Sequence, residues 1–214
     1  ADMGFAFDGD SDRLIAVDEK GHIIDGDMII YALAKYLKSQ GKLKKDTVVG
    51  TSHTNMAIEE GLKKEGIGLI RTDIGDKYVL AKLIENNLSL GGEQSGHIIL
   101  KDVATTGDGI LSAIAVANMI ISENKTLSET AFVELYPQVN KNIIVSDKFR
   151  IMNNEELGQD VAKYNAELSG KGRLMLRASG TEPKIRIMVE SKDRDLNEKI
   201  ANSIATIVKR IDAE

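Results

Sequence analysis

Residues 27–50, DMIIYALAKYLKSQGKLKKDTVVG, decide the fold class. Ile29, Ile30, Leu33, Ala34 and Leu37 recur at helical spacing behind an opening Asp, and Gly41 stands just past the run as a closing residue, which predicts a helix over 27–40. The β-branched run from Thr47 to Val49 then predicts a strand. Working outward, the same reasoning gives a helix over 54–65, a strand at 69–72, a helix over 77–85, strands at 88–90 and 97–100, and a long apolar helix over 108–122. Strand and helix alternating at this rhythm predict an α/β fold, a layered α/β/α domain with a mostly parallel sheet.

Towards the N-terminus, the apolar runs 4–7 and 14–17 flank an Asp cluster and read as strand, loop, strand. The sequence opens directly on the first of these strands, so we expect it to be part of a longer protein. After a short helix near 128–134, Tyr136-Pro137-Gln138 reads as a hinge. Strands at 142–145, 173–177 and 185–189 with helices at 154–168 and 195–211 then predict a smaller α+β domain.

Composition narrows the function classes. Of 214 residues, 42% are hydrophobic and 29% charged, as in ordinary globular proteins. Lys and Arg total 28 against 33 Asp and Glu, a net charge of −5 with the signs interspersed, so no nucleic-acid or membrane-surface partner is expected. Cysteine is absent, which removes disulfides, thiolate zinc sites and cysteine nucleophiles. No apolar run reaches the roughly 20 residues of a membrane span, and no signal peptide is read. A cytoplasmic protein is the expectation.

Three loops carry chemistry. In Asp8-Gly9-Asp10-Ser11-Asp12-Arg13 the carboxylates stand at i, i+2 and i+4, positions that share no helix face and that a strand would spread over roughly 13 Å. They converge only if the loop curls, which Gly9 and Ser11 permit, and three converged carboxylates need a cation, Mg²⁺ foremost. Three other readings compete: a solvated acidic turn; a calcium loop with Glu19 at its twelfth position but Arg13 where glycine is needed; and an Asp-x-Asp phosphatase strand with Asp12 where Thr or Val is usual. The second loop, Gly91-Gly92-Glu93-Gln94-Ser95-Gly96-His97, offers an acceptor, a donor and a titratable ring to a polyhydroxyl ligand, or is a plain glycine-rich turn. In the third, residues 177–186, Ile185, Ile187 and Val189 alternate towards a core. Lys184 and Arg186 therefore point the other way, beside a Ser-Gly-Thr turn and Arg177, as an anion site suited to phosphate or as a hairpin with a chance basic side. Thr105 to Gly109 is weaker, and Asp108 reads as a helix N-cap.

Together, and in this order, the loops resemble those of the α-D-phosphohexomutase family. Gln94, the stretch Thr105-Thr106-Gly107-Asp108-Gly109-Ile110 and Gly75-Asp76-Lys77-Tyr78-Val79 look more like its glucosamine phosphate branch than its mannose and glucose phosphate branch. The resemblance implies a four-domain intramolecular phosphotransferase that moves a phosphoryl group between the 6- and 1-positions of a phosphorylated hexosamine through a bisphosphate and an active-site phosphoserine. It implies that Asp8, Asp10 and Asp12 hold Mg²⁺ and that Glu93 and Ser95 grip sugar hydroxyls. His97 is a candidate for proton transfer and Arg13 for the reacting phosphate, while Arg177, Ser179, Gly180, Thr181 and Arg186 hold the non-reacting phosphate. It further implies that 1–22 ends a preceding α/β domain with the metal loop, that 23–136 is an α/β sugar-binding domain and that 137–214 is an α+β phosphate-binding domain. The phosphoserine would then lie in N-terminal domains outside this sequence. Thr51-Ser52-His53-Thr54-Asn55 superficially resembles the family's nucleophile motif but lacks its Asn-Pro, so Ser52 reads as a strand-to-helix turn residue. A mannose or glucose phosphate mutase, or a non-catalytic phosphosugar- or Ca²⁺-binding module, are the alternatives.

Overall fold

The computed structural model describes residues 1–214 as two compact units, 1–135 and 136–214. In the first, β1 (Met3–Phe7), β2 (Leu14–Asp18) and β3 (Ile23–Ile24) form an antiparallel sheet with Phe7 opposite Leu14. There follow α1 (Gly26–Ser39), β4 (Thr47–Thr51), α2 (Met56–Lys64), β5 (Gly68–Thr72), α3 (Asp76–Glu85), β6 (Leu90–Gly92), β7 (Ile98–Leu100), α4 (Gly109–Glu123) and α5 (Leu127–Ala131). The second sheet runs β5-β4-β6-β7, parallel except for the β6–β7 hairpin.

Strand periodicity explains the layers. Val48, Leu90 and Ile98 face one core, shared with Ile29, Leu33, Ile58, Leu62, Val116 and Met119 of α1, α2 and α4. Their neighbours Val49 and Ile99 face the other, shared with Val79 and Leu83 of α3. Short β-branched strands buried on both faces are what a parallel sheet requires. Leu14, Ala16 and Ile24 join the first of these cores, so the residues expected to close a preceding domain share an interior with α1 and α4.

Every α-helix but α3, which follows Gly75, starts where a short polar side chain caps it. Asp25 accepts from the backbone N–H of Met28 at 3.1 Å, Asn55 from Ala57 at 3.0 Å and Asp108 from Leu111 at 2.9 Å. In α1 the capping Asp lies two residues before the expected helix start.

The second unit contains β8 (Gln138–Ile144), α6 (Lys148–Met152), α7 (Glu155–Glu167), β9 (Gly172–Ala178), β10 (Lys184–Ser191) and α8 (Arg194–Ala213), with an antiparallel sheet ordered β8-β10-β9. Ile185, Ile187 and Val189 alternate into a core with Ile200, Ile204 and Val208 of α8. The one-turn helix α6, absent from the sequence reading, is nucleated by Asp147, which accepts from the N–H groups of Phe149 and Arg150. No helix is long and apolar enough to cross a membrane.

Candidate functional site

The Asp loop connects β1 to β2 and it curls. Ser11 adopts a left-handed φ of 60°, its N–H bonds to the Asp8 carbonyl at 3.2 Å, and one ligand oxygen from each of Asp8, Asp10 and Asp12 lies within 4.8 Å of the others. Burial pushes the Asp8 carboxyl up, but the Arg13 N–H, the neighbouring Asp12 and the Arg13 guanidinium outweigh it and leave Asp8 below its ordinary value. Arg13 Nε lies 3.6 Å from Asp8 and 3.8 Å from Asp12. Asp12 Oδ1 is buried and lacks a hydrogen-bond partner. A buried carboxylate oxygen without a hydrogen bond, beside two further carboxylates, is the donor set of a hard divalent cation, so the residues fit Mg²⁺.

The Glu93-to-His97 loop is built onto this one. Arg13 and His97 form an antiparallel bridge, Leu14 N–H bonds to the Gly96 carbonyl at 3.0 Å, and His97 Nδ1 lies 3.0 Å from Asp12 Oδ2. Two glycines make that approach possible. Gly96 has φ of 93°, and a Cβ there would fall 2.2 Å from the Leu14 carbonyl oxygen, while one at Gly107 would fall 2.2 Å from His97 Nε2. His97 is 5% exposed and its Nε2 has no partner. Glu93 Oε1 accepts the Gly75 N–H at 2.9 Å, and Ser95 is exposed at the tip. Gln94 donates to Asp25 Oδ2 at 3.3 Å, and burial raises the Asp25 carboxyl. Thr105 to Gly109 backs the Asp loop, where Gly109 N–H bonds to the Ser11 carbonyl at 3.0 Å. Glu19, the oxygen donor of the calcium-loop alternative, is turned instead to Ser128 at the start of α5.

In the second unit, residues 178–184 form a hairpin closed by Ser179 N–H on the Lys184 carbonyl at 2.8 Å. Arg177 and Arg186 face each other in the β9–β10 register. Burial first, and Arg186 second, lower the Arg177 guanidinium. Arg186 Nη2 reaches Ser179 Oγ at 3.4 Å and Glu182 Oε2 at 3.0 Å, whereas its Nε is buried without a partner. Gly180 and Thr181 are exposed. Two residues escaped the sequence reading. Glu182 spans Lys184, at 2.6 Å, and Arg186, so a carboxylate lies among the cations, and its Lys184 partner holds it below its ordinary value. Lys148 directs its ammonium at the hairpin's carbonyls. The Glu at 182 was visible beside the Ser-Gly-Thr turn, whereas Lys148 carried no signal, because it lies 31 residues from Ser179.

Comparison with known proteins agrees with this architecture. Residues 25–136 match the model of the phosphoglucomutase/phosphomannomutase alpha/beta/alpha domain III, and 141–207 that of the C-terminal domain. The chain is 46% identical over 210 residues to the phosphoglucosamine mutase of Bacillus subtilis (strain 168), an alignment covering 98% of this chain and 47% of that protein. It is 45% identical over 212 residues to the phosphoglucosamine mutase of Carboxydothermus hydrogenoformans, covering 99% and 48%. It thus spans about half the length of the curated relatives it matches. Among solved structures, the N-acetylphosphoglucosamine mutase of Aspergillus fumigatus superposes with a TM-score of 0.82 at 21% identity, covering 97% of this chain and 48% of that one, a likeness of fold. With both of its units matched in order, the chain belongs to the phosphoglucomutase/phosphomannomutase family.

Proposed function

We propose that residues 1–214 form the metal- and substrate-holding half of a phosphoglucosamine mutase, which interconverts glucosamine 6-phosphate and glucosamine 1-phosphate through a bisphosphate. The observation that carries this reading is the convergence of Asp8, Asp10 and Asp12 against His97, in a chain 46% identical to a phosphoglucosamine mutase over 98% of its length. Asp8, Asp10 and Asp12 hold Mg²⁺, which when bound neutralises charge on the transferring phosphoryl group. Arg13, flanking Asp8 and Asp12, binds the reacting phosphate. Glu93 and Ser95 accept and donate to sugar hydroxyls, Glu93 through the oxygen that Gly75 does not occupy. His97 has Nδ1 committed to Asp12, so a proton held or moved there sits on Nε2. Arg177, Ser179, Gly180, Thr181 and Arg186 hold the non-reacting phosphate. An Aspergillus fumigatus N-acetylphosphoglucosamine mutase of like fold has been solved with GlcNAc-6P and magnesium, ligands of the class proposed here.

The phosphoserine that exchanges the phosphoryl group would be supplied by N-terminal domains outside residues 1–214, which is consistent with the chain spanning about half of its relatives. The test is a coupled mutase assay with Mg²⁺ and glucosamine 1,6-bisphosphate. The whole protein should turn over glucosamine 6-phosphate faster than mannose 6-phosphate, and the 214-residue chain alone should not turn over either. Faster turnover of mannose 6-phosphate would move the assignment to the phosphomannomutase branch. Activity of the 214-residue chain that vanishes in Ser52→Ala would relocate the nucleophile.

A further inference from the structure

The Lys148 ammonium lies 2.6 Å from the carbonyl oxygen of Ser179, 3.3 Å from that of Gly180 and 3.4 Å from that of Glu182. A cation held among three backbone carbonyls of one turn constrains which way its peptide planes face. In a trans peptide the C=O of one residue and the N–H of the next point in opposite directions, and the chain contains no cis bond. Fixing the Ser179 carbonyl on Lys148 therefore turns the Gly180 N–H away from it, and fixing the Gly180 carbonyl does the same for Thr181. Neither N–H has a partner within the protein, whereas the Ser179 N–H closes the hairpin on the Lys184 carbonyl and the Lys184 N–H bonds to the Glu182 carbonyl. Arg186, with its buried and unpartnered Nε, and Ser179 Oγ supply the remaining donors.

We propose that Lys148 is a positioning residue that sets the peptide planes of residues 179–181 so that the Gly180 and Thr181 N–H groups converge on an anion. The inference rests on the phosphate reading of this hairpin and adds what holds its backbone in the binding geometry. Lys148 itself touches carbonyls and makes no contact with the anion. A loop whose donors are oriented beforehand loses less free energy to ordering when it binds. The same contact accounts for α6, which brings Lys148 under the hairpin through the Asp147 cap.

The experiment is a titration of the 214-residue chain with inorganic phosphate, read by amide NMR in about 1 M chloride, where the screening length is about 3 Å and the long-range charge of Lys148 is suppressed. In the unaltered chain the Gly180 and Thr181 amides should shift with saturation. Lys148→Met should bind phosphate at least about tenfold more weakly, the loss expected for charge-assisted contacts to the loop, with both shifts diminished. Lys148→Cys should behave like Lys148→Met until it is alkylated with 2-bromoethylamine, which rebuilds an ammonium of nearly the original reach in a chain that has no other cysteine. If phosphate moves no amide between 177 and 186 in the unaltered chain, the phosphate reading itself fails. If Lys148→Met keeps the unaltered affinity and shifts, the positioning role fails and the phosphate reading stands. Weakening that aminoethylation does not reverse, or that appears only at low salt, likewise overturns the positioning role.

Discussion

Arg177 and Arg186 stand directly opposite one another across the β9–β10 pair, on the face turned away from Ile185, Ile187 and the α8 core. Like charges in facing positions weaken a sheet, and an anion between them removes the penalty. Phosphate should therefore raise the melting temperature of the chain, by about 1.4 kcal/mol of stability at ten times its dissociation constant. Arg177→Met should melt no lower than the unaltered chain in anion-free buffer, yet gain much less from phosphate. An equal gain in the two proteins, followed by scanning calorimetry, would remove Arg177 from the site.

Asp10 is exposed and makes no hydrogen bond or ion pair, whereas Asp8 and Asp12 are tied to Arg13 and His97. Asp10→Ala should abolish Mg²⁺ binding in titration calorimetry and leave the melting temperature within about 0.5 kcal/mol of stability, as for other surface changes. Retained binding would show that the loop holds its cation without this carboxylate.

His97 faces the Asp loop through Asp12, whose Oδ2 lies against Nδ1 while Oδ1 takes no hydrogen bond and lies 3.8 Å from Arg13 Nε. Outer partners of metal ligands are typically worth about 10- to 100-fold in affinity. His97→Phe should weaken Mg²⁺ binding by that order while the chain stays folded by circular dichroism. Unchanged affinity in the folded variant would limit His97 to packing.

Glu19 links β2 to α5, and hydrogen bonding from the Ser128 hydroxyl is the main cause that lowers its carboxyl to about 2, against an ordinary value of 4.5. A carboxyl lowered by folding contributes stability that is fully present above pH 4.5 and is lost as pH falls towards about 2. Urea midpoints of the unaltered chain should decline through this window. Glu19→Gln should start lower at neutral pH and decline less steeply. Parallel pH curves for the two proteins would show that the contact contributes nothing to the acid transition.

Much of this was written locally. The helices over 27–40 and 108–122 were legible because an Asp cap and an uninterrupted apolar period occur together, and the curl of the Asp loop because small residues alternate with acids. β6 lies at 90–92, two residues beyond its expected position, because Gly91 and Gly92 read as loop and only packing against Val49 makes them strand. β8 begins at Gln138, four residues before the expected start, since Gln138, Asn140 and Asn142 hide its alternation. The five residues of α6 are too few to show a period. Within the site, residue types were readable, but the pairing of Glu93 with Gly75, His97 with Asp12 and Lys148 with Ser179 depends on tertiary approach that spacing does not encode.

The tight seating of Gly96 against Leu14 and of Gly107 against His97 bears on how such a sequence can drift over generations. At either position the smallest addition, one methyl carbon, collides with the backbone or ring that holds the Asp loop and the loop over 92–97 together, so a lineage loses the scaffold before it can try a new preference. Gly9 has open space around it, and Ser95 projects outward from the loop tip. Inherited change in what this surface recognises therefore has its open routes at the rim, through positions such as these, while the joint behind them stays fixed.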